Sequence, residues 1–543
     1  MVTDFVVKIF QTDSREWMIS ASLSLLCLVK PFYQLLLRHP HYPAYYNIDY
    51  LAAICNFVLL TIAWRGIRMF LRHASHPRLS KALPLVHLIP LILFADFLRP
   101  FFLYAITGTD ITAIFQGLGK AGLLLAAVLV GYLGFLVGWR YAARFQRILE
   151  VCLAGIFPAA ILILCRVAWV GFGVESAPGR ETTADAVGTR ASSARVVWII
   201  FDEMDQRLSF PGRPARLSLP ELDRFRDSAI YATDALPPAD NTLLSIPSIL
   251  AGKVVHQSDL VGHSDGLLLV TFTPDGERMP WDEQIPDVFS KAHRLGVKVA
   301  VDGVYLPYCL LFQHVLTQCA DQPQMGLAND PDASLYDRMA RQILVAIPGS
   351  PAMDAVKRYS RMLQHAKEMS ADRGLGLVYV HLSVPHFPFI YNRAKARTEA
   401  WAFLETSEGY VNNLALADRT LGEIRVAMEQ AGVWNDTTVL VTSDHPWRDS
   451  DGFDGKSDPR VPFLLKLAGQ SGRIDYDQRF NTVVTHDLIL SLLTEEVSTP
   501  EEAIAFLDRE KQATAVSRNL SELSPTDHAP VISHVPAAGY RDP

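Results

Sequence analysis

Val196-Val-Trp-Ile-Ile-Phe-Asp-Glu203 is a run of six apolar residues closed by two acids. A short, unbroken apolar run of this kind belongs in a central parallel strand covered on both faces. Outward from it the pattern repeats. Leu219–Ser228 reads as helix and Ile230–Ala235 as strand, and Asp282–Gly296 is a helix ending at glycine before strand Val297–Val301. Helices follow over about Ser334–Ile347 and Ala352–Met369, then strand Leu377–Leu382 and a long helix from about Ala400 to Ala431. Val439–Thr442 and Val461–Lys466 are further buried strands. Strands alternating with helices predict an α/β domain in which helices sandwich a mostly parallel sheet. Ligands of such sheets bind beyond the carboxyl ends of the strands.

Three of those ends carry ionisable residues. Asp202-Glu203 closes the first run, Ser443-Asp444-His445-Pro446 follows Val439–Thr442, and Leu377–Leu382 leads into Val384-Pro-His386-Phe-Pro388. A fourth connection, Asn241-Thr-Leu-Leu-Ser-Ile-Pro-Ser-Ile-Leu-Ala-Gly252, brings Thr242 to the start of an apolar helix. A helix start favours an anionic group, and a metal beside a hydroxyl lowers its pKa and makes it a nucleophile. Carboxylates, an imidazole and a hydroxyl oxygen suit zinc or another divalent ion. Each piece has a plainer reading. Asn-Thr is a common helix cap, Asp202-Glu203 a helix-start acid pair, Ser-Asp-His a turn, and His386 a loop residue. His381 reads as a core histidine on its strand. The coincidence of all four pieces at strand ends favours a site.

Half of the 543 residues are hydrophobic, and the apolar excess lies before residue 173. Stretches at about Met18–Leu37, Tyr50–Leu71, Leu83–Ile106, Ala121–Trp139 and Ile148–Val170 are each near the ~20 residues a spanning helix needs. Lys30 and Pro31 interrupt the first. Basic residues fill the second-to-third and fourth-to-fifth connections, whereas Gly108 to Gly119 has none. That parity predicts a cytoplasmic N-terminus and a soluble half outside, periplasmic or extracellular, on a bacterial-type plasma membrane. No cleavable signal peptide is evident. Asp96 and Arg99 stand one turn apart in the third span, where charges are costly and often functional; a mutual pair, or an arginine snorkelling to the outer interface, is the favoured reading. The expected organisation is a transmembrane region over 1–172, a linker over 173–194, a catalytic domain over 195–510 and a poorly ordered tail over 511–543. Cys309 and Cys319, the only cysteines of the soluble half, read equally as a disulfide or as two thiols. A net charge of −7 without Lys/Arg-rich blocks argues against nucleic acid.

With these residues in view, the chain resembles the alkaline phosphatase superfamily, in particular sulfatase-like membrane transferases such as lipoteichoic acid synthases and phosphoethanolamine transferases. The resemblance runs from about Arg195 to Leu493 and includes the five-span anchor. VVWIIFDE is similar to the superfamily's first strand with its acidic ligands, which implies metal-binding roles for Asp202 and Glu203. VLVTSDHP is similar to its Ser-Asp-His motif, which implies Asp444 and His445. VHLSVPHFPF resembles a PHxPF stretch whose histidine meets the leaving or transferred group, implying His386. EGYVNNLALADRTLGEI resembles the helix that follows, so Tyr410–Ile424 reads as scaffold. Counting back from Gly252 lands the nucleophile on Thr242, not Ser245, and Thr242, Ser245 and Pro247 are similar to the Thr-x-x-Ser-x-Pro of phosphoethanolamine transferases. Ile246 stands where sulfatases carry arginine, and no cysteine is present for formylglycine. Proline instead of glycine after Asp444-His445 departs from the family pattern. Lys456 reads as an exposed loop lysine.

These readings converge on a membrane-anchored, metal-dependent transferase or hydrolase of phosphodiesters with a threonine nucleophile that also ligates the metal. Zinc is the expected ion, with manganese, calcium or magnesium as substitutes. The expected partners are a phospholipid donor and an envelope glycan or lipid acceptor. The alternatives are a sulfuric ester hydrolase using Ser245 or Thr242, and a non-catalytic envelope scaffold or binding protein.

Overall fold

Continuous apolar strands have no solvent face, so they sit at the middle of a sheet with helices on both sides. The computed structural model describes residues 2–36, 47–73, 83–107, 146–172, 194–260, 268–274, 276–281, 285–322, 333–347, 350–399 and 406–515. The predicted fourth span, the linker and the tail beyond 515 lie outside the described residues, and the last helix runs over Pro500–Ala515. The chain divides into two units, Met1–Ser176 with Gly326–Pro351 and Pro530–Pro543, and Ala177–Met325 with Ala352–Ala529.

The second unit is built on an eight-stranded sheet. Its strands are β1 (Val196–Phe201), β2 (Ile230–Ala232), β3 (Val299–Val304), β4 (Gln318–Gln322), β5 (Leu377–Leu382), β6 (Thr438–Thr442), β7 (Phe463–Lys466) and β8 (Ile474–Tyr476). Their spatial order is β8-β2-β7-β6-β1-β5-β3-β4. β7 runs antiparallel to both its neighbours, and the other pairings are parallel. Every residue of β1, β5 and β6 is buried. A fully buried Val, Leu, Ile or Phe contributes roughly 1.5–3 kcal/mol, so these strands anchor the unit. Because β6, β1 and β5 are adjacent and parallel, their carboxyl ends emerge side by side. Thus Asp202, the 384–388 segment and Asp444 share one edge. β4 and β8 were not legible in advance, since Gln318-Cys-Ala-Asp-Gln322 and Ile474-Asp-Tyr476 are short, polar edge strands. Cys309 and Cys319 form a disulfide, which joins the short helix Tyr308–Leu311 to β4.

The first unit holds helices Val2–Leu36, Asn47–His73, Leu83–Thr107 and Gln146–Phe172. Three stretches, Ser14–Leu36, Asn47–His73 and Gln146–Phe172, are long and apolar enough to cross a membrane. The first helix continues through Pro31. Asp96 lies on the third helix, and the side chain of Arg99 is outside the described residues. Helix Leu335–Ala346, read from sequence as part of the catalytic half, belongs to this unit. Arg68 and Arg72 pair with Glu16 at 2.9 and 2.5 Å, Arg72 pairs with Glu150 at 2.5 Å, and His87 Nε2 lies 2.5 Å from Arg68. These groups join the start of the first helix's apolar stretch Ser14–Leu36, the start of the fourth helix, the end of the second and the start of the third. Consecutive helices one, two and three therefore run in alternating directions.

Gly303, near the carboxyl end of β3, is set by a close approach: a Cβ there would lie 2.4 Å from two ring carbons of buried Tyr308. Gly303→Ala is expected to destabilise the second unit by about 1–3 kcal/mol, read as a lower thermal midpoint of the full chain in detergent.

Candidate active site

The strand ends are stitched together before any reacting group is considered. Ser443 Oγ lies 2.7 Å from the Phe201 carbonyl and accepts from Met204 N–H at 2.8 Å, tying the end of β6 to the end of β1. The Glu203 N–H donates to Asp444 Oδ1 at 3.1 Å, and the His386 N–H to the Asp202 carbonyl at 3.1 Å. Asn413 Oδ1 accepts from Ile390 and Tyr391, and its amide donates to the Pro385 and His386 carbonyls. Helix Thr406–Gln430 thus positions the 384–391 segment as well as packing against it.

Thr242 is the first residue of helix Thr242–Ala251. Asn241 caps that helix by accepting from Leu244 N–H at 3.0 Å. Gly252 ends it at φ 67°, where a Cβ would also press on His486. The Thr242 hydroxyl donates to Asp444 Oδ2 at 2.6 Å and lies 3.3 Å from His445 Nε2. Ser245, the other hydroxyl considered, instead donates to the Ala239 carbonyl and accepts from its N–H. Its oxygen fastens the approach loop.

Asp202, His381 and Asp444 are buried, and a ligand atom from each lies within 4.8 Å of the others. His445 Nε2 stands 3.7 Å from Asp202 Oδ1 and 3.5 Å from Asp444 Oδ2. Burial and the neighbouring Asp444 push the Asp202 carboxyl well above its ordinary range. Asp444 is held below its own despite its burial, by His445, His381 and the Thr242 hydroxyl. Burial lowers His381 to about 4, so its ring is neutral. His381 Nδ1 lies 2.9 Å from the Tyr308 hydroxyl, while Nε2 has no hydrogen-bond partner among the described residues. A neutral imidazole anchored through one nitrogen and bare at the other is the form that ligates a metal. Two carboxylates, imidazole nitrogens and a hydroxyl suit a divalent ion. The residues present fit one.

Sequence reasoning read His381 as a core histidine, because it sits on a wholly buried strand. It is buried, and it also faces this carboxylate group. Glu203 takes a different course from Asp202. Its backbone is left-handed, φ 67°, a costly conformation for a residue with a Cβ. The Tyr410 hydroxyl, stacked under Trp447 at 3.9 Å, donates to its carbonyl and holds it there. Its carboxylate then accepts from Arg448 Nε at 3.1 Å and lies 3.8 Å from His386 Nε2. Despite burial, His386 and Arg448 keep it below the usual carboxylate range. Arg448 Nη2 is 3.4 Å from His386 Nε2, and its side chain is 30% exposed. Arg448 was missed because it lies in the loop after Pro446, where the sequence departs from the pattern it resembles. Lys456 is exposed and its carbonyl accepts from Arg207.

No protein-family model matches the chain, and no curated relative does. Solved structures do. One is Ps i-CgsB in complex with k-i-k-neocarrahexaose, at 13% identity and TM-score 0.42 over 60% of this chain and 77% of that one. A second is a protein in the alkaline phosphatase superfamily from Vibrio parahaemolyticus, at 13% and 0.37 over 56% and 67%. A third is the lipoteichoic acid synthase LtaP from Listeria monocytogenes, at 14% and 0.37 over 56% and 72%. These are similarities of fold at low identity, and the chemistry below rests on the site's own residues.

Removing a ligand and loosening one should separate. Asp444→Asn is expected to abolish tight divalent-metal binding. Tyr308→Phe, which frees His381, should weaken it about 10–100-fold, measured by chelator competition on the full chain. Unchanged affinity in both would exclude this group as a metal site.

Proposed function

We propose that the chain is a membrane-anchored phospho-transferase or hydrolase that acts on phosphodiesters through Thr242. The observation that carries this reading is the Thr242 hydroxyl 2.6 Å from Asp444 Oδ2, inside a buried group of carboxylates and imidazoles at a helix start. Asp202, His381, Asp444 and His445, with the Thr242 oxygen, would hold a divalent ion. Such an ion supplies Lewis acidity, lowering the hydroxyl's pKa and offsetting charge on phosphoryl oxygens.

The chain's own groups then divide the work. The Thr242 proton leaves along its hydrogen bond to Asp444 Oδ2, and the Thr242 oxygen attacks phosphorus. A new P–O bond forms as the bond to the departing alkoxide breaks, giving phosphothreonine. His386 gives that alkoxide its proton. In the second half an acceptor hydroxyl, or water, gives its proton to His386 and attacks phosphorus from the opposite side. Thr242 departs and recovers its proton from Asp444. Arg448, held by Glu203 beside His386, offers a guanidinium to a non-bridging oxygen of the substrate. Fixed donors aimed at developing negative charge cost no reorganisation during the reaction.

The donor and acceptor follow from the anchor. A domain carried by membrane spans suits a phospholipid donor, with an envelope glycan or lipid as acceptor. Zinc is the ion this donor set suits best. The basic loops of equal parity support an extracytoplasmic catalytic unit, and the Cys309–Cys319 disulfide supports an oxidising compartment.

Thr242→Ala should abolish turnover while leaving the circular dichroism unchanged and most of the metal still bound by the four remaining ligands. In the wild type incubated with total membrane lipids, mass spectrometry should find a phospho-adduct on Thr242 whose mass names the transferred group. Full activity in the alanine variant would remove the covalent step. Arg448→Ala is expected to lower kcat/KM by about 10²-fold or more with the metal still bound; an unchanged kcat/KM would take Arg448 out of substrate binding.

A further inference from the structure

Helix Leu335–Ala346 has its polarity reversed. One stripe, Arg338, Gln342 and Ala346, is buried, at 2, 0 and 9% exposure. The opposite stripe, Tyr336, Ala340, Leu344 and Ile347, follows the i, i+4, i+8, i+11 spacing of one helix face. Its large members, Tyr336, Leu344 and Ile347, are 78, 48 and 46% exposed. A helix on a water-facing surface buries its apolar stripe and exposes its polar one. At these positions this helix does the opposite, although Asp337 is also exposed and Ile343 packs inward.

The buried stripe is fully engaged. Arg338 Nη1 donates to Asp49 Oδ1 at 2.7 Å, and Gln342 donates to the Asp49 carbonyl at 2.8 Å. Asn56 donates to Gln342 Oε1 and to the Met339 carbonyl, each at 3.0 Å. Asp49 and Asn56 are seven residues apart, about 10 Å along helix Asn47–His73. Helix Leu335–Ala346 therefore lies alongside that span. Ile343 packs into the same apolar cluster as Leu28, Phe32, Ala53 and Phe57. Helix Asn47–His73 beside it also exposes Leu51, Val58 and Leu59, so the stripe is not alone in turning large apolar side chains outward. Asp49 opens helix Asn47–His73, while the Glu16–Arg68–Arg72 cluster closes it. The reversed helix thus sits at the end of the bundle away from the basic loops.

We propose that helix Leu335–Ala346 is a lipid-contacting element, a segment of the soluble half of the sequence returned to the bundle. Its polar stripe is locked on the second span and its Tyr336–Leu344–Ile347 stripe lies in the acyl chains at the outer interface. Tyrosine at its start suits the depth of the headgroups. The inference rests on the membrane reading of the spans. It gives the catalytic unit a second covalent connection to the bilayer, in addition to the chain after Phe172.

The test uses the full chain in nanodiscs containing a phospholipid with a diazirine on its acyl chain. After photolysis and trypsin, adducts are expected on peptide 342–357, which holds Leu344 and Ile347, and on peptide 39–65 of the second span. Adducts on 39–65 without any on 342–357 would overturn the proposal. Adducts on neither would overturn the membrane reading and the proposal with it. Hydroxyl-radical footprinting of the same nanodiscs should oxidise Leu344 and Ile347 several-fold less than Leu295, which is similarly exposed at 42% in the other unit. Equal oxidation would place the stripe in water and sink the proposal.

Discussion

Two carboxylates buried beside each other govern the catalytic unit. Asp202 and Asp444 are both wholly inaccessible, and charges of one sign at that separation in a low-dielectric interior repel by several kcal/mol at an effective dielectric near 20. A fold tolerates this arrangement only where positive charge or a proton offsets it. Everything near the strand ends answers to that demand. Asp202 is pushed up toward its protonated form, His445 approaches the pair, Thr242 donates to it, and the N–H groups of Glu203 and His445 point at Asp444 Oδ1. The order β6-β1-β5 is what makes the encounter possible, since only adjacent parallel strands deliver their carboxyl ends to one place.

How much of this was legible depended on whether a residue's role is local. The strands β1, β5 and β6 announce themselves, because a continuous apolar run fits a two-sided core and little else. The residues directly after them follow at once, so Asp202, Asp444, His445 and His386 could be named from strand ends alone. His381 could not be told from a core histidine, because its periodicity on β5 is that of a buried residue. What marks it is the Tyr308 hydroxyl, more than seventy residues away in sequence and brought close by the β3–β5 pairing. Arg448 lies in a loop whose path depends on Trp447 stacking upon Tyr410, a contact invisible before folding. Edge strands β4 and β8 escaped for the opposite reason, as their polar sequences carry no alternation strong enough to read.

The first unit shows where pattern reading misleads. A twelve-residue helix is too short to span a bilayer, and its charged residues suggest a soluble surface. Arg338 and Gln342 are buried because Asp49 and Asn56 on helix Asn47–His73 offer partners for them, and a buried polar group left unpaired there would be costly. The polar residues of helix and span thus solve each other's problem. Neither set makes sense alone.

The neighbours Asp202 and Glu203 show how one backbone angle divides labour. In an extended strand, consecutive side chains point to opposite faces, so two adjacent acids cannot share a site. The strand ends between them, and Glu203 turns into the left-handed region at φ 67°. That turn sends its N–H toward Asp444 and its carboxylate toward Arg448 and His386. Asp202 faces His381 and His445, while Glu203 orders Arg448 and His386. The cost of the left-handed angle, of order 1–3 kcal/mol, is offset by the Tyr410 hydrogen bonds to the Glu203 carbonyl and the Asp205 N–H. A glycine at 203 would relieve the strain and lose the carboxylate that fixes Arg448. The strain is therefore retained where a side chain is needed at a position whose backbone would suit none.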